Sequence, residues 1–285
     1  MTTVGAPVTA DYGRPRVVRV LTLLLVATAA ATAVVELLNY WYAPEHGFGL
    51  AVRTGWALLR TVGWLILIWH VRRGRAAARP LGLILAVTTI FAVGRLVVPR
   101  SGTPPLPGVL GFAALVALCV LVVVLLYRHP GVQTHLVRHP NKLVVTREGL
   151  RWQEATPKRP PLAGWAITAR VAAFTYSPLM LVPALISVSE LRHRPEWLLA
   201  VVFWFGAGFA ASYAVLLATA FLMRGKTWAS GFLVWITVGV LVVDLPLCYL
   251  LLGVDGLVRD GAPLVAAALL VLFSLWRVRR LRMAG

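Results

Sequence analysis

Long apolar runs separated by short polar segments organise the chain. Eight runs are long enough for a membrane span, which takes about 20 mostly apolar residues. They cover 17–38, 50–71, 80–99, 106–127, 164–188, 197–223, 229–252 and 261–278. The last run is the least sharply bounded at its start, because charged residues precede it. The pattern predicts an all-α, polytopic integral membrane bundle of about eight transmembrane helices.

The first run has a second interpretation. Arg14 and Arg16, an apolar core and then "ATAAATA" resemble a secretory signal, whose apolar core has about 7–15 residues. This run continues through Val35 to Leu38, which is long enough to span. We therefore favour an uncleaved first helix; cleavage would leave seven spans in the same orientation.

One long basic segment, 128–163, divides the runs into four and four. We expect an N-terminal membrane half (1–127), a basic cytoplasmic linker and a C-terminal membrane half (164–285). Within the linker, "KLVVTREGLRW" has β-branched residues on both sides of a Glu-Gly turn and predicts a short hairpin. An offset of 151 places Arg73-Gly74 on Arg224-Gly225. A tandem duplication and the ordinary rhythm of a helical bundle both stay open.

Composition supports the membrane class. Hydrophobic residues make up 59% of the 285 residues and charged residues 13%, whereas soluble domains have about 25% charged residues. The mean hydropathy is +0.81. The net charge of +18 does not indicate a nucleic-acid partner, because the basic residues fall in short clusters between the apolar runs.

Those basic clusters occupy every second polar segment, including both ends of the chain. The segments between them, 39–49, 100–105, 189–196 and 253–260, are poorer in Lys and Arg. The positive-inside rule then places both termini in the cytoplasm. Arg outnumbers Lys 25 to 3, a bias that suggests a GC-rich bacterial genome and hence a bacterial cytoplasmic membrane.

The linker is also a candidate lipid contact. It carries His129, His135 and His139 among basic residues, a pattern that suits anionic lipid headgroups at the cytoplasmic face. No helix-spaced His pair with a carboxylate is present, so we expect no metal site. Cys119 and Cys248 lie inside apolar runs, where they are expected to be buried rather than disulfide-bonded.

Arg60 lies deep in the second run, although an Arg near a helix centre costs about 2.5–3.5 kcal/mol on insertion scales. At helical spacing it shares a face with Arg53, Trp56 and Trp64. The two indole rings lie one turn away on either side of Arg60. We therefore expect aromatic support for the guanidinium through cation–π contact.

Asp244 in the seventh run has nearly the same depth as Arg60, and intramembrane opposite charges are usually paired. We predict that these two side chains lie within hydrogen-bonding reach. Glu36, Arg53 and Arg95 lie nearer the outer ends of their runs. Together the five form a candidate intramembrane polar site whose cationic excess suits an anionic ligand or lipid headgroup. A purely structural ion pair and snorkelling arginines are the alternatives.

Other signals are weaker. Small residues at Gly206/Ala210 and Gly208/Ser212 suggest a close helix contact, and Pro178, Pro183 and Pro246 interrupt two runs. No catalytic motif, phosphate-binding loop or cofactor motif is found.

These observations favour a membrane binding or transport-type protein, or an accessory subunit. The alternative is a membrane-embedded enzyme acting on a lipid or lipid-linked substrate. A homo-oligomer or a larger membrane complex stays open.

The predicted topology has a direct test. Reporter domains that are active only in the cytoplasm should be active when fused to either end of the chain, because every alternate segment carries the basic excess. Activity of terminal fusions only with reporters that work outside the cell would contradict this orientation.

Overall fold

The computed structural model describes residues 16–41, 47–94, 106–136, 141–146, 149–154 and 163–283. This part of the chain folds into ten α-helices and one two-stranded antiparallel sheet. The helices are α1 (Arg16–Trp41), α2 (Phe48–Arg72), α3 (Ala78–Val93), α4 (Leu106–Arg128), α5 (Pro130–His135), α6 (Ala163–Phe174), α7 (Tyr176–Ser187), α8 (Leu198–Met223), α9 (Trp228–Gly256) and α10 (Ala262–Met283).

Six stretches of the described residues are long and apolar enough to cross a membrane. They correspond to α1, α2, α4, α6 with α7, α8, and a continuous stretch of 54 residues that holds α9 and α10. The outward faces carry large exposed apolar side chains, such as Leu199 and Trp235, as expected of a surface in contact with lipid. The chain is a membrane-embedded helical bundle.

The eight predicted runs and these six stretches differ for two reasons. The helix in the third run, α3, has 16 residues and is about 24 Å long at 1.5 Å per residue, which is shorter than a hydrocarbon core of about 30 Å. The seventh and eighth runs are joined through a π-helical turn, Leu257–Gly261, instead of an open loop.

The buried hydrophobic residues fall into two clusters. One draws on 18–136, and the other draws on 169–275 together with Ile84 from α3. In the first group, α1 packs on α2, α2 on α3, α3 on α4 and α4 on α1. In the second, α8 packs on α7 and α9, α9 on α10, and α10 on α6. The groups meet where α2 and α3 pack against α6, α7 and α10.

The predicted hairpin in the linker is confirmed. Strand β1 (Asn141–Thr146) pairs with β2 (Gly149–Glu154) in antiparallel register. The short helix α5, which precedes it, is anchored to the first group by two hydrogen bonds. A ring nitrogen of His135 lies 2.9 Å from the Val71 carbonyl oxygen, and Arg79 donates to the Gln133 carbonyl oxygen at 3.2 Å.

This anchoring changes the interpretation of the linker histidines. His135 is buried, so it does not belong to a surface patch for lipid headgroups. The backbone N–H of Gly131 donates to Nδ1 of His129, which caps α5. His139 lies outside the described residues.

Arginines stack on aromatic rings at helix ends that adjoin the basic segments. The guanidinium carbons of Arg73 and Arg75 lie 4.3 and 4.1 Å from the ring centre of Trp69, and that of Arg280 lies 4.1 Å from the Trp276 ring centre. Interfacial Trp and Arg of this kind anchor helices at the lipid–water boundary.

The sharpest break in the bundle occurs at Gly253. Its φ of 70° and ψ of −167° lie in a region that glycine adopts at little steric cost. The chain folds back beyond Gly253 and brings Gly261 close to α9. A methyl group built on Gly261 would lie 3.1 Å from Cδ2 of Leu245. Pro246 lies inside α9 without ending it, whereas the α6–α7 break at Thr175 comes three residues before Pro178.

Of the two small-residue pairs in α8, one packs inside the protein. A methyl group built on Gly208 would lie 2.9 Å from Cδ2 of Leu181 on α7, whereas one on Gly206 would have no atom within 4 Å. The close contact predicted for this helix is therefore intramolecular at Gly208.

This contact predicts different effects for two equivalent substitutions. Gly208→Val should lower the free energy of unfolding by about 1–3 kcal/mol, because the added methyl groups overpack the α7–α8 contact. Gly206→Val has the same change in helix propensity but open space, so it should be close to neutral. Thermal unfolding in detergent would measure both, and equal losses of stability would contradict the packing.

Candidate functional site

A partly enclosed polar cavity lies where the two helix groups meet. It offers about 40 Å³ in which the centre of a water-sized sphere fits, room for about three waters. Helices α2 and α3 form one wall, and α7, the π-helical turn and the start of α10 form the other. Its polar and aromatic lining consists of Arg53, Trp56, Arg60, Thr88, Arg259 and Asp260.

Arg60 lies at the midpoint of α2, twelve residues from either end. The side chain is 6% exposed, and its Nη2 lies 3.5 Å from Oε1 of Glu36, which is 1% exposed. Its Nη1 lies 3.5 Å from the Thr88 carbonyl oxygen, a long hydrogen bond to α3. The guanidinium is thus held between α1 and α3, with one edge on the cavity.

Arg53 lies two turns nearer the N-terminal end of α2 and reaches across to the second helix group. Its Nη2 is 3.9 Å from Oδ2 of Asp260, and both side chains are about one-fifth exposed. Asp260 lies on the π-helical turn that joins α9 to α10. This ion pair bridges the two cavity walls.

Asp260 and Arg259 are the site residues that sequence reasoning placed outside the site. Hydropathy assigns both to the polar segment before the last run, yet the π-helical turn brings them to the cavity. The sequence feature that could have pointed to them is the charged segment Asp-Gly-Leu-Val-Arg-Asp-Gly between two spans. Arg259 donates to Oδ2 of Asp255 at 2.7 Å, an i,i+4 pair in which Asp255 is 58% exposed.

The predicted Arg60–Asp244 contact is wrong. Asp244 is 0% exposed and accepts a hydrogen bond from the indole Nε1 of Trp204 on α8 at 2.9 Å. The Cys248 thiol, one turn along α9, donates to its other oxygen at 3.5 Å. Helix α7 packs against both α2 and α9, so it separates Arg60 from Asp244.

The predicted aromatic support for Arg60 is not formed either. Within the described part of the chain, the arginines that stack on aromatic rings lie near helix ends. Trp56 lines the cavity beside Arg60. Trp64 is fully buried in the core of the first helix group. Both rings therefore shape apolar walls around the arginine without stacking on it.

Of the five predicted charged residues, the structure brings Arg53 and Arg60 to one cavity and places Glu36 directly behind Arg60. Asp244 lies in a separate buried environment. Arg95 lies outside the described residues.

The charges are arranged unevenly. Three arginines face the cavity, whereas Asp260 is the carboxylate among its lining residues in the described part of the chain. Glu36 balances Arg60 from the side of α1, and Asp255 balances Arg259 from the exposed side of α9. The cavity wall is therefore cationic, although the wider network pairs each arginine with a carboxylate.

No family model, curated protein or solved structure matches this chain.

The buried and exposed ion pairs should differ in their effect on stability. Glu36→Leu should lower the free energy of unfolding by about 3–5 kcal/mol, because it removes a carboxylate that compensates a charge inside the bundle. Asp255→Leu removes an exposed i,i+4 partner and should cost about 0.3–0.5 kcal/mol. Denaturation of both variants in detergent measures the difference. Similar losses of unfolding free energy would contradict a larger stabilising role for the Glu36–Arg60 pair.

Proposed function

We propose that this chain is a membrane binding or transport-type protein, or the solute-binding subunit of a membrane complex. Its ligand is a small anion held in the cavity between the two helix groups. The observation that carries this proposal is the cavity wall, in which three guanidinium groups and one carboxylate converge inside a membrane-embedded bundle. Guanidinium groups are the preferred partners of anionic oxygens because of their fixed fork of N–H donors.

The size of the cavity supports a small ligand. Room for about three waters accommodates an inorganic anion or a short carboxylate, but not the body of a lipid. An acidic lipid headgroup would have to enter from the membrane with its chains outside. In either case a negatively charged group of the ligand would contact Arg53 and Arg60.

The position of the cavity supports movement of that ligand. Transporter sites commonly lie at the interface between two halves of the bundle, beside interrupted helices. Here the cavity lies at such an interface, and Asp260 and Arg259 belong to the π-helical turn that follows the break at Gly253. π-Helical turns are frequent at functional sites.

We further propose eight spans arranged as two tandem four-helix halves. Each helix group packs in the same ring order, with α6 and α7 together standing where α1 stands. The turns after α2 and α8 also share one hydrogen-bond pattern at the offset of 151. The Gly74 and Gly225 N–H groups donate three residues back, the Arg75 and Lys226 N–H groups five residues back, and both glycines have positive φ.

We place the protein in a bacterial cytoplasmic membrane with both termini inside. The arginine–aromatic contacts near Trp69 and Trp276 support this orientation, because they lie at the ends that adjoin the basic segments. Arg53 and Asp260 lie at the opposite helix ends, so the cavity belongs to the outer half of the bundle.

The alternative, a membrane-embedded enzyme acting on lipid, has less support. Such an enzyme would be expected to show an acid–base pair facing a lipid-sized groove. Within the described part of the chain, Asp260 is the one carboxylate that lines the cavity, and the space is too small for a lipid.

Anion binding has a direct test in the purified protein. We expect chloride, nitrate, sulfate or phosphate, added one at a time against gluconate, to raise the melting temperature of the detergent-solubilised protein. The shift should grow with concentration, because a ligand that binds the folded state stabilises it by mass action. Arg53→Gln should remove the shift.

The matched control is Arg192→Gln, which removes an exposed arginine that does not line the cavity and should keep the shift. Equal shifts in the wild type and in Arg53→Gln, or no shift with any of the four anions, would contradict an anion site in this cavity.

A further inference from the structure

Asp244 is the most completely buried carboxylate of the described residues, and the proposed anion site does not use it. It lies in the middle part of α9, with no exposed surface. Its Oδ1 accepts the Trp204 indole N–H at 2.9 Å, and its Oδ2 faces the Cys248 Sγ at 3.5 Å. An indole and a thiol are neutral donors.

Among the described residues, no arginine, lysine or histidine forms an ion pair with Asp244. Helices α7 and α8 contain no charged residue, and the charged residues of α10 all lie in its last turns. On α7, the Tyr176 hydroxyl is bonded to Thr237, about two turns along α9 from Asp244. The π-helical turn, which also packs on α9, carries Arg259 and Asp260, and Arg259 donates to Asp255 at 2.7 Å.

An ionised carboxylate in this position would be very costly. Moving a carboxylate into a low-dielectric interior without a partner costs several kcal/mol even after relaxation, and such groups usually become neutral instead. A neutral carboxylic acid fits the observed contacts. Its carbonyl oxygen, Oδ1, accepts the indole hydrogen bond, and its hydroxyl, Oδ2, lies beside the thiol.

Asp244 is also linked to the cavity. The π-helical turn folds back against α9, so that Gly261 packs on Leu245. These two residues are the sequence neighbours of Asp260 and Asp244. Asp260 and Asp244 each lie one residue from this contact, so we expect a change of charge or ligand at Asp260 to act on Asp244 through the low-dielectric interior, where electrostatic effects are strong.

We propose that Asp244 is an intramembrane proton-binding site, protonated at neutral pH and coupled to the cavity through Asp260. Intramembrane carboxylates that bind and release protons commonly serve pumps and transporters. Its use as the coupling site for an ion-driven transporter rests on the function proposed above. Its protonation does not.

Infrared spectroscopy of the full chain in lipid nanodiscs tests this directly. At neutral pH the wild type should show the C=O stretching band of a protonated carboxylic acid, and Asp244→Asn should remove it. Glu196→Gln, which changes an exposed carboxylate that does not line the cavity, should leave the band unchanged. A wild type without the band, or a band that survives in Asp244→Asn, would overturn the proposal.

Two further variants test the geometry without removing Asp244. Trp204→Phe takes away the donor to Oδ1 and should move the band to higher frequency. Asp260→Asn removes the neighbouring charge and should also shift the band. An unchanged band in Trp204→Phe would refute the hydrogen-bonded acid, and an unchanged band in Asp260→Asn would refute the link to the cavity.

The infrared result and the anion-binding result fail separately. Absence of a protonated Asp244 would overturn this proposal and leave the anion site standing. Loss of the anion-induced stabilisation would overturn the anion site and leave the protonated carboxyl in place.

Discussion

The structure depends on how a permanent cation is held at the midpoint of a membrane helix. Arg60 has no way to become neutral, because the guanidinium stays protonated in proteins. Glu36 on α1 forms an ion pair with the guanidinium, and the Thr88 carbonyl oxygen on α3 accepts a hydrogen bond from it. The first helix group is therefore organised around a charge as well as around its apolar core.

The second helix group completes the polar site from the other side. It supplies charged residues from a break between two helices, not from the face of a regular helix. The reversal at Gly253 and the π-helical turn after it place Arg259 and Asp260 opposite α2. Arg53 then bridges the two groups through Asp260. The same turn lies against α9, where Gly261 packs on Leu245.

The membrane class, the helix positions, the linker hairpin and the unusual status of Arg60 could all be predicted from the sequence. Hydropathy indicates roughly where helices lie, and helical spacing indicates which residues share a face. Depth could also be predicted, since Arg60 and Asp244 do lie in the middle parts of their helices. What pairs with Arg60 could not be predicted, because depth does not tell which helices are neighbours.

The missed residue, Asp260, shows a second limit. A charged segment between two apolar runs is typical of a loop, and π-helical geometry has no hydropathy signal of its own. Its position against α9 depends on Gly253 and Gly261, whose roles are set by local backbone geometry and packing. The small-residue pattern of α8 was similarly ambiguous, since the positions of the neighbouring helices decided that Gly208 packs and Gly206 does not.

An experimental structure in lipid nanodiscs, at a resolution that shows side chains, tests the central claim most directly. We expect the Arg60 guanidinium on Glu36, Asp244 on the Trp204 indole, and non-protein density in the cavity beside Arg53. A structure with Arg60 paired to Asp244, or with the space between α2 and the π-helical turn filled by side chains, would contradict it.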